Sequence, residues 1–215
     1  RMPLSIEIVA GGTAVFSVDE LAEMLRRREF PEQLNGDMSM GSLTAAFAVA
    51  IDGLDPDHRA MLEAATVFAG PFDRSSFAEV CAPDAASRDA HAALNELITR
   101  SLIHVERGIG PDQFRLLHHL VDVVRDRADP RGLEAANARF TELMVKRVGE
   151  ACSGLRGPDE QMWDRRLSRH FGNIRAAFER CIALGDAEGA TATAVPMWEY
   201  GFMRLNDECF RWAER

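Results

Sequence analysis

Only one part of this 215-residue sequence alternates between apolar and polar residues as β-strands do, which limits how much sheet the chain can form. The two alternating runs cover residues 102–106 and 113–117. The segment between them, 108–112, contains glycine and proline and has the composition of a hairpin turn. Elsewhere the apolar residues recur at intervals of three and four, which favours helix. We therefore predict a mainly α fold with a single small β-hairpin.

Capping residues and helix breakers predict where the helices lie. Proline and paired glycines bound a short helix over 3–10, a capping box at 17–20 opens a helix over 18–28, and 30–40 have the composition of an exposed loop. The helices predicted around the hairpin cover residues 42–54, 56–68, 73–81, 87–100 and 118–127. Helices followed by one hairpin and another helix are the arrangement of a winged helix.

The C-terminal part is predicted to be helical throughout. A helix over 131–152 leads into a glycine- and proline-containing linker at 154–158, and three or four further helices follow in 159–215. Antiparallel helix pairs at this spacing indicate the start of a helical repeat that continues beyond Arg215. Trp163, Phe178 and Trp198 are predicted to pack between its helices, and an apolar face left uncovered at its end would favour self-association. The predicted parts of the chain are therefore 1–40, 41–130, 131–158 and 159–215.

The composition argues against several classes of protein. A net charge of −9 disfavours nucleic-acid binding, which needs clustered arginine and lysine. No apolar run approaches the ~18 residues of a membrane span, and residues 1–4 lack the pattern of a signal peptide, so a cytoplasmic location is expected. The four cysteines are far apart in sequence, which predicts buried thiols rather than a zinc site or disulfides.

Several short motifs occur in the order found in one protein family. Residues 2–7 (MPLSIE) resemble the GLPLA motif that closes the nucleotide-binding module of NB-ARC-type signal-transducing ATPases with numerous domains. The segments SLTAAF at 42–47, LDP at 54–56, VFAGPF at 67–72, 97–105 and FRLL at 114–117 are similar to the winged-helix part of large bacterial transcriptional regulators of the LuxR and antibiotic-regulator types. The segments GLRGP at 154–158, GNIRAAF at 172–178 and ALGD at 183–186 resemble the start of their tetratricopeptide-like region.

The resemblance implies a regulatory role for the chain. Residues 1–40 would end the nucleotide-binding module, 41–130 would form the winged helix, 131–158 a connecting helix and linker, and 159–215 the start of the tetratricopeptide-like region. In this family ADP holds a closed form, and exchange for ATP drives oligomerisation. The implied partners are an ATPase domain and an output domain outside this sequence, besides proteins bound by the helical repeat.

The resemblance also implies where nucleotide would be contacted. Pro3 and Leu4 would lie near the adenine, and His118 or His119 falls where related switches carry a Met-His-Asp motif whose imidazole contacts the ADP β-phosphate. The alternative readings are a proline that begins a helix and a histidine that faces solvent or caps a helix. ADP or ATP with magnesium is implied for the parent protein only, because the 215 residues contain no GxxxxGK[ST] phosphate loop. We therefore expect no cofactor, metal or catalytic residue in this segment.

Other charged groups are assigned ordinary roles. The pairs Asp55 with Asp57 and Asp122 with Asp126 could form acid/base or metal sites, but at helix starts and on polar helix faces they are expected to interact with the helix dipole and solvent. The arginines alternate with acidic residues, which is typical of solvated helix faces. No GxSxG nucleophile motif is present.

Three functions remain open at this point. The first is a signalling module that relays the nucleotide state of an ATPase to an output domain. The second is a DNA-binding winged helix whose recognition helix lies within 87–100, although Arg88 and Arg100 are balanced there by Asp89 and Glu96. The third is a regulatory segment of a multidomain nucleotide cyclase.

Overall fold

The computed structural model describes residues 47–85, 87–106, 112–204, 206–212 and 214–215. Within them a helical segment at 47–52 precedes α1 (Pro56–Ala65), α2 (Arg74–Cys81), α3 (Ser87–Thr99), β1 (Ile103–Glu106), β2 (Gln113–Leu116), α4 (His118–Arg125), α5 (Pro130–Gly154), α6 (Glu160–Leu184), α7 (Ala187–Arg204) and α8 (Asp207–Trp212). The predicted mainly α fold with one small hairpin is confirmed. The helices predicted over 3–10 and 18–28 lie outside the described residues.

Aspartate caps begin three of the helices. Asp55 accepts hydrogen bonds from the backbone N–H groups of Asp57 and His58, and proline follows it at the first helical position. Asp73 and Asp129 cap α2 and α5 in the same way. Because these side chains satisfy N–H groups that have no partner within the helix, the helix starts could be predicted from sequence. Gly185 ends α6 with a φ of 68°, a conformation that glycine adopts without strain.

The hairpin is extended by one residue from outside it. β1 and β2 pair antiparallel, with Ile103 opposite Leu116. Phe72, between α1 and α2, exchanges two backbone hydrogen bonds with Phe114 of β2, at N···O distances of 2.9 and 2.8 Å. These two bonds tie the segment between α1 and α2 to the sheet.

Phenylalanine side chains fill the centre of this unit. Phe72 lies 4.5 Å from Phe68 and 6.1 Å from both Phe77 and Phe114, measured between ring centroids. Phe140 of α5 meets Phe68 edge-on at 5.4 Å. Helix α5 therefore contributes to the core beneath the hairpin, although it follows the hairpin unit in sequence.

Helix α5 also packs against the helices that follow it. It contacts α1 and α2 on one side and α6 and α7 on the other. Arg180 of α6 pairs with Glu134 near the start of α5, and Arg156, just after α5, pairs with Glu199 of α7. The buried apolar residues from Phe47 to Trp212 form one continuous cluster. The boundaries at 130 and 158 remain predictions.

The three aromatic residues predicted to pack between the C-terminal helices have different environments. Phe178 is buried and stacks on Trp212 at 4.7 Å, which confirms its assignment. Trp163 is partly buried against the backbone of Gly154. The prediction for Trp198 was wrong, because 53% of this residue is exposed. Helix α7 has apolar residues on both faces, so helical spacing alone did not reveal which face points inward.

Two further expectations concern membranes and thiols. In the described ranges, none of the helices has both the length and the apolar character needed to cross a membrane. Cys81, Cys152, Cys181 and Cys209 are all free and buried, as predicted. Burial raises the pKa of the Cys152 and Cys209 thiols to about 11, so both are protonated at neutral pH.

Candidate functional site

Residues 70–73 meet helices α5 and α6 at a polar contact that we call the junction. The junction consists of residues 70–73 together with Arg147 of α5 and His170 and Asn173 of α6. Residues 70–73 connect α1 to α2 and include Phe72, which bonds to the hairpin. The junction thus joins the hairpin unit to the C-terminal helices.

Asn173 makes the two central hydrogen bonds of the junction. Only 1% of this residue is exposed. Its side-chain oxygen accepts from the backbone N–H of Gly70 at 2.8 Å, and its Nδ2 donates to the carbonyl of Pro71 at 2.7 Å. One amide side chain therefore satisfies a donor and an acceptor of a turn about a hundred residues earlier in the chain. Such a pair of bonds fixes both the position and the orientation of the turn.

Asp73 and Arg147 form the second contact of the junction. Arg147 directs two guanidinium nitrogens at the Asp73 carboxylate, at 3.3 and 3.4 Å, and one of them also donates to the Ser75 hydroxyl at 3.0 Å. Burial opposes ionisation of Asp73, but hydrogen bonds from the Ser76 N–H and hydroxyl, together with the Arg147 charge, outweigh it. They hold the pKa of this carboxyl well below its usual range. The cap of α2 is therefore ionised and paired with α5.

His170 lies one helical turn before Asn173 and is buried beside Arg147. Only 6% of it is exposed, and its Nδ1 has no hydrogen-bond partner. The pKa of His170 is lowered to about 4, chiefly by burial; the positive charge of Arg147 acts in the same direction and the charge of Asp73 opposes it. A cavity of about 10 Å³ adjoins the ring, lined by Arg147 and Arg166 among others, which is about the size of one water molecule. The imidazole is therefore neutral at physiological pH.

Two of the sequence motifs meet at the junction. Gly70 and Pro71 belong to the VFAGPF segment, and Asn173 belongs to GNIRAAF. Neither motif was predicted to form a functional site. His170, Arg147 and Asp73 were not identified as site residues. The sequence does contain a signal for His170, because this residue falls on the apolar side of α6 with Leu167 and Ile174. A polar residue on a buried helix face is uncommon and points to a specific role.

The structure describes only some of the residues that are predicted to contact nucleotide. Pro3 and Leu4 lie outside the described residues. His118 is the first residue of α4 and is exposed, and the N-cap residue, Leu117, makes no side-chain cap bond. His119 follows in the same helix, but its side chain is not among those described. An exposed imidazole at an uncapped helix start fits both predicted readings, a phosphate contact and a solvent-facing residue.

One group of side chains among the described residues has the spacing of metal ligands. It consists of Asp55, His58 and Glu96, whose ligand atoms lie within 4.8 Å of one another. His58 Nδ1 is 2.5 Å from a Glu96 oxygen and 2.8 Å from an Asp55 oxygen. Glu96 also accepts from Arg100 at 2.9 Å, and Asp55 caps α1. Each carboxylate therefore has a structural partner, and the group holds α1 against α3. Asp57, the other half of the pair considered earlier, is outside this group.

Comparison with known proteins does not assign the chain to a family. No protein-family model matches the chain, and a search of curated proteins found no match. The junction and the motifs that meet in it are therefore the basis for assigning a function.

Proposed function

We propose that this chain is a non-catalytic regulatory and scaffold segment of a nucleotide-dependent signalling ATPase, acting in the cytoplasm as part of a bacterial transcriptional regulator. The observation that carries the proposal is the junction, in which one buried asparagine joins the helical region to the winged-helix unit. Its role is to relay the nucleotide state of the ATPase and to present helices to protein partners.

The geometry of the junction suits a relay. A displacement of α6 moves Asn173, and the two hydrogen bonds of Asn173 carry the turn at Gly70 and Pro71 with it. Phe72 follows directly and is bonded to β2, so the hairpin is displaced as well. On the other side of the turn, Asp73 caps α2 and is held by Arg147. Contiguous hydrogen-bonded contacts of this kind are a physical means by which two units influence each other.

The resemblance to NB-ARC-type regulators supports the same proposal. ADP or ATP with magnesium would be held mainly by the ATPase domain of the parent protein, with Pro3, Leu4 and His118 or His119 as contacts from this segment. The ATPase domain, the output domain and proteins bound by the C-terminal helices are the proposed partners.

The proposal is tested by comparing the chain with the intact protein that contains it. We expect the purified 215-residue chain to release no phosphate from ATP above a buffer blank, because it has no phosphate loop. The intact protein is expected to bind ATP through a phosphate loop encoded upstream of residue 1. An intact protein without such a loop, or turnover by the short chain that is lost when one of its own residues is mutated, would refute the proposal.

Direct DNA binding is a second candidate, and one observation favours it. Glu96 turns away from the outer face of α3 and pairs with His58 and Arg100. The exposed residues of that face then include Arg88, His91, Asn95 and Thr99, with the acidic Asp89 exposed at its edge, and arginine and asparagine are residue types that read base edges. Asp89 and Glu96 argue against a recognition helix in α3, and of the two Glu96 already has structural partners.

We nevertheless expect negligible binding of the chain to duplex DNA at physiological salt, because the net charge is −9 and repels phosphate. Fluorescence anisotropy with a labelled duplex measures the affinity, and Arg88→Ala with Arg211→Ala as control shows whether α3 is involved. Sub-micromolar, salt-sensitive binding that is weakened by Arg88→Ala alone would favour DNA binding over the relay.

A further inference from the structure

Helix α7 presents an unusually apolar outer face. Val195 is 65% exposed, Trp198 53% and Phe202 69%. With Ala187 and Thr191 they follow one another at intervals of four, four, three and four residues, so they form a single stripe along the helix. The inner face, with Met197 and Tyr200, is already buried against α5 and α6. The stripe is therefore a second apolar face that stays largely exposed among the described residues, although Phe210 of α8 contacts Trp198.

The stripe is not uniform, because side-chain size changes along α7. The first half of the helix is built from alanine, glycine and threonine, and the second half contains Trp198, Phe202 and Met203. A groove of about 620 Å³ lies over the small half, with α7 residues from Ala187 to Val195 on one wall and side chains of α6 and α8 on the other, and Trp198 bounds it where the ridge begins. One end of the face is thus a groove and the other end is a ridge.

The apolar area is large for a surface of this length. Val195, Trp198 and Phe202 alone expose on the order of 400 Å², and the groove adds to this. A standard interface buries about 800 Å² per partner, of which somewhat more than half is apolar. The ridge and groove therefore supply about the apolar area that a stable dimer needs, and monomers seldom leave such a patch uncovered.

We propose that α7 is a homodimer interface in which the α7 helices of two copies pack antiparallel about a two-fold axis near Val195. In this arrangement the ridge at Trp198 and Phe202 of each copy enters the groove over Ala190 and Ala194 of the other. A two-fold interface must be self-complementary, and a face with its ridge and groove at opposite ends of one helix meets that requirement. The inference does not depend on the proposed function.

The charges at the ends of α7 agree with the antiparallel direction. Asp186 and Glu188 are exposed at the N-terminal end, and Arg204, which also pairs with Asp164 of α6, keeps about half of its side chain exposed at the C-terminal end. Rotation about an axis near Val195 places Arg204 of one copy opposite Asp186 of the other, and the symmetry produces this pair twice. A parallel pairing would instead place like charges together.

The ridge is also held in place before association. The Trp198 ring meets Phe210 of α8 edge-on, with centroids 4.8 Å apart. An aromatic side chain that is already oriented loses less conformational freedom on binding than a mobile one. Trp198 is therefore the expected centre of the interface energy.

Sedimentation velocity of the full 215-residue chain over a concentration series tests the proposal. We expect a monomer–dimer equilibrium, and Trp198→Asp should raise the dissociation constant at least about 30-fold. Met162→Asp is the matched control, because Met162 is equally exposed, at 52%, but lies on α6 outside the stripe, and it should leave the constant unchanged. Circular dichroism confirms that both variants are folded. A chain that stays monomeric, or a dimer that survives Trp198→Asp, overturns the proposal.

A cross-linking experiment tests the symmetry independently. Val195→Cys places an exposed thiol next to the two-fold axis, where mild oxidation should join two copies into a disulfide-linked dimer on a non-reducing gel. The four native thiols are buried, so they should not compete. Met162→Cys is expected to remain monomeric on the same gel. Equal cross-linking of the two variants, or none at Val195→Cys, would show that the axis does not lie there.

Discussion

Asn173→Ala is expected to lower the free energy of unfolding by about 3 kcal/mol. The substitution removes both hydrogen bonds to the turn and leaves the Gly70 N–H and the Pro71 carbonyl without their partner. Each polar group that loses its partner in a buried contact costs about 1–3 kcal/mol, which is more than the net value of the bond itself. Urea unfolding followed by circular dichroism measures the change.

Two variants serve as controls for this experiment. In Asn137→Ala the lost bond runs only to the Leu133 carbonyl of the same helix, and the expected cost is below about 1 kcal/mol. Gly70→Ala keeps the backbone N–H of residue 70, which can still donate to Asn173. The added methyl group would lie 3.6 Å from the side-chain oxygen of Asn173, which is an ordinary contact distance. A loss for Asn173→Ala no larger than that for Asn137→Ala would mean that the junction does not hold the two units together.

The stability of the chain is expected to fall between pH 6.5 and pH 4, by up to about 3 kcal/mol through His170 alone. The ordinary histidine pKa is 6.5, and burial among Arg147, Arg166 and Arg169 lowers it to about 4 in the folded protein, against the opposing effect of Asp73. Between these values the unfolded chain binds more protons than the folded chain. The contribution is therefore fully present above pH 6.5 and is lost as the pH falls toward 4.

The pH effect is measured by urea unfolding at a series of pH values. His170→Gln should flatten the dependence between pH 6.5 and pH 4, whereas His91→Gln, at an exposed position of α3, should leave it unchanged. Asp73 acts in a different range, because a carboxyl with a lowered pKa contributes stability above 3.8 that is lost only at lower pH. Equal slopes for the His170→Gln variant and the wild type would show that His170 is not the responsible group.

Much of the fold could be predicted because its signals are local. Asp55 with Pro56, Asp129 with Pro130 and Gly185 mark helix ends through bonds to their own neighbours. The hairpin could be predicted because period-2 runs occur at only one place and flank a turn. In both cases the residues that determine the structure lie within a few positions of one another, so the pattern in the sequence contains the information.

The exposed face of α7 could not be predicted in the same way. A helix with one polar face reveals its orientation, but the apolar residues of α7 occur on both sides. Trp198 and Met197 are neighbours in sequence and lie about 100° apart around the helix axis, yet one is exposed and the other is buried. Which of them faces the core depends on where α5 and α6 pack, and that is a tertiary property.

The junction could not be predicted from the sequence for a related reason. Asn173 and Gly70 are separated by about a hundred residues, and a single sequence contains no record of which distant positions touch. Both motifs are part of the family resemblance, but the resemblance does not indicate that they contact each other. Only the folded chain shows that an asparagine in one motif bonds to the turn in the other.

Helix α5 has a consequence for how the molecule opens. It packs against α1 and α2 as well as against α6 and α7, so separating either pair leaves it packed against the other. Exchange of its central amide protons with solvent therefore requires both units to open together, at a cost near the full free energy of unfolding. Hydrogen exchange should be slowest in the middle of α5, around Phe140 and Met144, which are buried on all sides. The most protected backbone is therefore expected to lie in the helix that the resemblance described only as a connecting helix.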